Sequence, residues 1–192
     1  NNYLMGKDPF PFDLLYWNSD STRMPAAMHS FYLRNMYMEN RLKDPGGIMI
    51  GDVEIDLSKI KIPAYFISAI EDHIAPWKST YLGACLFGGP TKFVLGGSGH
   101  IAGIVNPPAA NKYGFWTNEA TDGNLPESPD EFLAGATQHA GSWWTHWHQW
   151  MTGLPGGSAK VKARKPEEGK LKVLEPAPGS YVKFRLDAQK AD

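Results

Sequence analysis

The sequence predicts an α/β fold built around a parallel sheet, and three observations carry that expectation. Ala64–Ala69 is a short, nearly continuous apolar run, and Thr91–Leu95 reads as a second strand with an apolar centre at Phe93-Val94-Leu95. Runs of this length without polar alternation suit strands covered on both faces. Between them, Pro76 to Phe87 has a helical composition and stops at Gly88-Gly89-Pro90. Strand, helix, strand over about 35 residues is a βαβ unit, normally a right-handed crossover.

The remaining elements follow in chain order. Residues 1–28 read as loop-rich, because Asp8-Pro9-Phe10-Pro11-Phe12 cannot sit inside a helix and Pro25 punctuates again. Met28 to Leu42 has dense apolar spacing among strong helix formers, and Asp44-Pro45-Gly46-Gly47 ends that helix. Ile48 to Ile55 is compatible with a short hairpin around Gly51-Asp52. Beyond the second apolar run, Asn106-Pro107-Pro108 breaks the pattern, and residues 111–129 read as loop. Ser128 is an N-cap with Pro129 in the first turn and Glu131 three residues on, opening a helix expected to reach about Gln138. A further helix starts near Ser142 and ends at Gly153-Leu154-Pro155. On it Trp143, Trp147 and Trp150 share one face, which is expected to anchor in a core. Residues 159–172 hold six Lys/Arg and two Glu, a solvated basic face, and Leu171 to Leu186 alternates weakly, as a short hairpin would.

Composition excludes several classes. The 192 residues suggest one domain or slightly more, and 42% apolar content is that of a globular chain. With 19 Lys+Arg against 20 Asp+Glu, a broad nucleic-acid footprint is excluded. One cysteine excludes an internal disulfide or a Cys-rich zinc site. No apolar stretch is long enough for a membrane span. The opening Asn1-Asn2-Tyr3 lacks the pattern of a signal peptide, and the first residue is not Met, so the chain is processed or part of something longer. Seven Trp, eight Tyr and nine Phe point to a core built around rings.

In open α/β sheets, function collects beyond the carboxyl ends of the strands. There the first apolar run ends in Glu71-Asp72-His73 and the second in Gly96-Gly97-Ser98-Gly99-His100. The order carboxylate then histidine matches the last two members of an α/β-hydrolase triad. An imidazole takes the proton of a nucleophile, and a carboxylate on its other nitrogen fixes the tautomer. Glu71 is an alternative acid and His73 an alternative base, while Asp72 as a helix cap beside a loop histidine is the non-catalytic alternative. The nucleophile is missing. Gly97-Ser98-Gly99 lies on the wrong strand, and Cys85 has no glycine frame and reads as a buried packing residue. His146 and His148 do not share a helix face, so they are not a metal pair.

Four segments carry a resemblance. Leu14-Leu15-Tyr16-Trp17-Asn18-Ser19-Asp20-Ser21-Thr22-Arg23-Met24-Pro25, Glu71-Asp72-His73-Ile74-Ala75-Pro76-Trp77, Gly96-Gly97-Ser98-Gly99-His100-Ile101-Ala102-Gly103 and Gly141-Ser142-Trp143-Trp144 closely resemble polyhydroxyalkanoate synthases, most nearly the class I type. The resemblance runs in order over essentially the whole chain, which matches the C-terminal third of such enzymes. It implies an α/β-hydrolase fold, with residues 1–30 as the end of a cap region and 31–192 as the C-terminal part of the catalytic core. It implies a Cys-His-Asp triad in which Asp72 and His100 are the catalytic residues present and the Cys lies upstream. The implied reaction is polymerisation of (R)-3-hydroxyacyl-CoA, mainly 3-hydroxybutyryl-CoA, into polyhydroxyalkanoate with release of CoA.

Ala102, two residues past His100, is expected to line the acyl pocket, with Ile74 and His73 flanking it. Asp72 either orients His100 or activates the substrate hydroxyl. Asn40 and Tyr37 lie where a cleft is within reach, and neither is assigned. The implied partners are the acyl-CoA, the growing polyester, the upstream part of the enzyme, a second copy in a homodimer and the granule surface in the cytoplasm. No metal or prosthetic group is expected. The alternatives are a thioesterase or depolymerase of the same fold and a non-catalytic granule-binding module.

Overall fold

The computed structural model describes residues 2–8, 21, 23–118, 124–160, 165 and 168–183. Most of the segment Leu14–Pro25 lies outside the described residues. The chain divides into two compact units, residues 1–147 and 148–192.

A short helix α1 (Asn2–Met5) opens the first unit. Helix α2 (Ala26–Tyr32) continues through a wider turn at Leu33–Met38, where the Glu39 N–H reaches back five residues to the Arg34 carbonyl at 3.0 Å. The helix expected to reach Leu42 stops earlier, because Asn40 adopts a left-handed conformation (φ 48°) and only a 3₁₀ turn, Arg41–Lys43, follows. No residue of Ala26–Met38 is buried. The hairpin forms as expected: β1 (Ile48–Ile50) pairs antiparallel with β2 (Val53–Ile55). Gly51, at φ 60°, takes the first turn position, where a type II′ turn needs glycine.

The main sheet has order β3-β4-β5-β6. Strand β3 (Ala64–Ala69) pairs parallel with β4 (Thr91–Gly96), and helix α3 (Trp77–Ala84) connects them. This is the βαβ unit read from the sequence. The all-parallel expectation is corrected beyond it. Strands β5 (Phe115–Thr117) and β6 (Thr137–His139) run antiparallel to their neighbours, so the sheet is mixed, with flanking helices compatible with an α/β fold. After β4 the chain makes only single turns, with no helix to carry a crossover, and so it returns alongside β4. Helix α4 (Pro129–Ala134) is capped by Ser128 but ends at Gly135, short of Gln138.

On one sheet face, Phe66, Phe93, Leu95 and Trp116 pack with Trp77, Tyr81 and Ala84 of α3 and Phe132 of α4. Tyr81, Phe93 and Phe132 meet ring to ring with centroids 4.9–5.2 Å apart. Replacing Phe93, 1% exposed, by Ala is expected to destabilise the fold by about 3–5 kcal/mol, read as a lowered denaturation midpoint.

Helix α5 (Trp143–Gly153) starts on the opposite face, where Trp143 stacks on Tyr65 and the Tyr65 hydroxyl bonds His146 Nδ1 at 2.9 Å. The core-anchor expectation for its tryptophans is corrected. No α5 residue is buried, and Trp147 is 37% exposed. In the second unit, Glu175 accepts from the Ser180 N–H and hydroxyl at 2.7 and 2.9 Å. Residues 168–183 hold a 3₁₀ turn at Tyr181–Lys183 and no strand, so the expected hairpin is absent among the described residues.

Candidate active site

The parallel pairing of β3 and β4 puts both strand ends at one edge of the sheet. Their exits stay paired beyond the strands: the Ile70 N–H donates to the Gly96 carbonyl (2.8 Å) and the Glu71 N–H to the Ser98 carbonyl (3.0 Å). Asp72 and His100 therefore leave adjacent strands side by side. Ser98 takes the left-handed conformation (φ 67°) that bends the chain ahead of His100, a strained backbone held by the Glu71 bond. Gly97 and Gly103 are needed for close approach. A Cβ on Gly97 would stand 2.7 Å from the Tyr113 carbonyl oxygen, and one on Gly103 2.5 Å from that of Gly97.

Asp72 Oδ2 and His100 Nδ1 are 2.8 Å apart. The other carboxylate oxygen, Oδ1, accepts the Ile74 and Ala75 N–H groups, both at 2.9 Å. The Asp72 side chain is 6% exposed and that of His100 44%. Burial alone would push the Asp72 carboxyl up. The bonds from Ala75, His100 and Ile74 outweigh it and hold the group below its ordinary value. Asp72 is not the cap of α3, whose N-cap is Pro76 with no side-chain bond. Instead it folds the Asp72–Ala75 turn around itself while holding the imidazole.

Of the alternatives, neither Glu71 nor His73 takes part in this pair, and both are exposed. Cys85 is corrected from a buried to an exposed residue. It sits at the far end of α3, which runs back from the edge that carries Asp72 and His100. A Cβ on nearby Gly88 or Gly89 would touch the backbone of Ser58, Lys61 or Ile62, just ahead of β3. That is the opposite edge from His100, and partial burial raises the Cys85 thiol above its usual value, against the opposing effect of its bond with Tyr81. Cys85 is thus neither placed nor activated as the nucleophile.

The expected substrate residues lie next to the pair along the chain. Ile74 is 65% exposed, His73 is exposed and Ala102 is partly buried in the turn after His100. A cavity of about 460 Å³ lies elsewhere, lined by Asn111, Tyr113, Gly114, Gln138, His139, Ala140 and Gly141. Among the described residues, no three His, Cys, Asp or Glu converge on a metal-sized site. None of their helices is long and apolar enough to cross a membrane.

No protein-family model matches the chain. It is 54% identical over 185 residues to the poly(3-hydroxyalkanoate) polymerase subunit PhaC of Rhizobium meliloti. It is 46% identical over 185 residues to the subunit of that name from Cupriavidus necator, and 48% over 186 residues to the poly(3-hydroxyalkanoate) polymerase of Methylorubrum extorquens. The chain is homologous to the C-terminal part of the poly(3-hydroxyalkanoate) polymerases. Each match covers 96% of this chain but only 29–31% of the relative, so the chain spans about three-tenths of those polymerases' length. The resemblance read from the four motifs is thereby shown.

One feature of the site was not legible in the sequence. The indole N–H groups of Trp143 and Trp144 reach the His100 turn, bonding the Ile104 carbonyl at 3.2 and 3.0 Å. Trp144 lies outside the helical stripe of Trp143, Trp147 and Trp150, and only the Gly141-Ser142-Trp143-Trp144 segment singles it out. Nothing in the spacing signals an indole donor.

Proposed function

We propose that this chain is the C-terminal part of an α/β-hydrolase-fold polymerase that converts (R)-3-hydroxyacyl-CoA, mainly 3-hydroxybutyryl-CoA, into polyester and free CoA. The observation that carries the reading is the Asp72–His100 hydrogen bond at the active edge, in a chain homologous to polymerases. With Nδ1 donating to Asp72, Nε2 is the basic nitrogen. It takes the proton of a Cys thiol supplied by the part of the protein outside this sequence. The thiolate attacks the thioester carbonyl, the C–S bond to CoA breaks, and the CoA thiolate leaves with the proton from His100. Nε2 then takes the proton of a 3-hydroxyl, whose oxygen attacks the acyl-Cys. An ester forms and the Cys thiolate is regenerated.

Asp72 orients the imidazole in both steps, because its two oxygens are already committed to three hydrogen bonds. Residues 1–30 belong, in this reading, to the end of a cap that keeps water from the acyl-enzyme. The cytoplasmic granule surface and a homodimer are part of the same proposal.

The test is conversion of (R)-3-hydroxybutyryl-CoA by the complete protein. CoA release matched by polymer supports the reading, and release matched by free acid makes the protein a thioesterase. Ala102→Leu is expected to shift the ratio of short to longer monomers incorporated when both are offered. An unchanged ratio means that Ala102 only packs.

A further inference from the structure

The turn that carries His100 is short, and its two ends are secured differently. Upstream, backbone bonds fix Gly96 and Ser98 to the exit of β3. The turn itself is one helical loop, closed by Gly103 N–H to the Gly99 carbonyl and Val105 N–H to the Ile101 carbonyl, both 2.8 Å. A single turn is not self-supporting in water.

Downstream, the ties come from side chains at the start of α5. Trp143 and Trp144 both donate to the Ile104 carbonyl, at 3.2 and 3.0 Å, using both of its lone pairs. The Ser142 hydroxyl donates to the Asn106 carbonyl and accepts the Trp144 N–H at 3.1 Å. Asn106 is 2% exposed, and its Nδ2 donates to the Lys112 carbonyl at 2.8 Å.

We propose that Ser142, Trp143 and Trp144 are positioning residues, which hold His100 against Asp72 by clamping the Ile104–Asn106 end of its turn. The proposal rests on the reading of His100 as the base. The clamp is polar and directional, so it fixes the rotation of the turn and not only its depth, and imidazole rotation is what a 2.8 Å bond to a buried carboxylate cannot tolerate.

The test uses the complete protein with (R)-3-hydroxybutyryl-CoA. Trp143→Phe/Trp144→Phe keeps an aromatic ring at each position and deletes both donors. It is expected to lower kcat about tenfold with KM unchanged. Ser142→Ala is expected to lower kcat in the same direction, with Ser142→Thr restoring it. Trp147→Phe, which removes an indole from the same helix without a bond to the turn, leaves kcat alone. An unchanged kcat in the double variant overturns the proposal. So does a fall in activity that matches loss of folded protein by circular dichroism, because the residues are then structural only. Failure of the underlying reading looks different: His100→Ala then keeps full turnover.

Discussion

His100→Ala in the complete protein is expected to lower CoA release from (R)-3-hydroxybutyryl-CoA by about 10⁴-fold or more, with little change in thermal stability. The magnitude follows from what a cysteine does without its base. An ordinary thiol, with a pKa of about 8.5, is a few per cent thiolate at pH 7, so attack on the thioester is slowed rather than abolished. What is lost besides is the proton for the departing CoA and the base for the incoming hydroxyl, whose own acidity is negligible at neutral pH. Stability is spared because the imidazole is 44% exposed and carries little packing. A variant that retains turnover sinks the triad reading and leaves this segment a binding module. Cys85 does not rescue the activity, being at the other edge of the sheet with a raised thiol.

The central βαβ unit was legible because its signals are redundant. Ala64–Ala69 is nearly all apolar, Phe93-Val94-Leu95 forms the apolar centre of Thr91–Gly96, Gly88-Gly89 follow the end of α3, and the strands stop in polar turns. Strands β5 and β6 were not legible. Three residues each, Phe115-Trp116-Thr117 and Thr137-Gln138-His139, are too short for a period to register, and β5 sits among Asn, Gly and Pro that read as loop. Their strand character comes from pairing with β4, a tertiary effect that no local window contains. The same holds for α5. Its tryptophan spacing is helical, and the helix forms, but no α5 residue is buried.

The Asp72–His100 pair was legible for a different reason. Parallel pairing forces adjacent strand exits together, so topology alone brings two residues 28 positions apart to 2.8 Å. The residue that makes the bend before His100 was not legible. The glycines there are needed for close approach, while Ser98 takes the left-handed conformation.

Asp72→Asn separates the two roles open to the carboxylate. The variant keeps an acceptor for the Ile74 and Ala75 N–H groups, so the turn should survive. Its amide N–H₂ would face His100 Nδ1, turning that nitrogen into an acceptor and placing the proton on Nε2, where a base is needed. If Asp72 orients His100, both the first CoA released and every later one fall, by about 10⁴-fold. If Asp72 instead deprotonated the 3-hydroxyl, the first CoA would still appear as a burst and only elongation would stop.

The geometry favours the first outcome. The carboxylate is 6% exposed, accepts three hydrogen bonds and is held below its ordinary pKa, which makes it a poor proton acceptor. The same shift sets a pH dependence. A carboxylate depressed in the fold stabilises it above the unfolded value of about 4, and that contribution is lost as pH falls through the lower folded value. Wild-type protein should therefore hold its full advantage over Asp72→Asn above about pH 4 and lose it as pH falls below that, through the lower folded value, until the two converge in stronger acid. A rapid-quench measurement of the first CoA from the Asp72→Asn protein decides between the roles: a full burst refutes orientation, and its absence refutes direct activation of the hydroxyl alone.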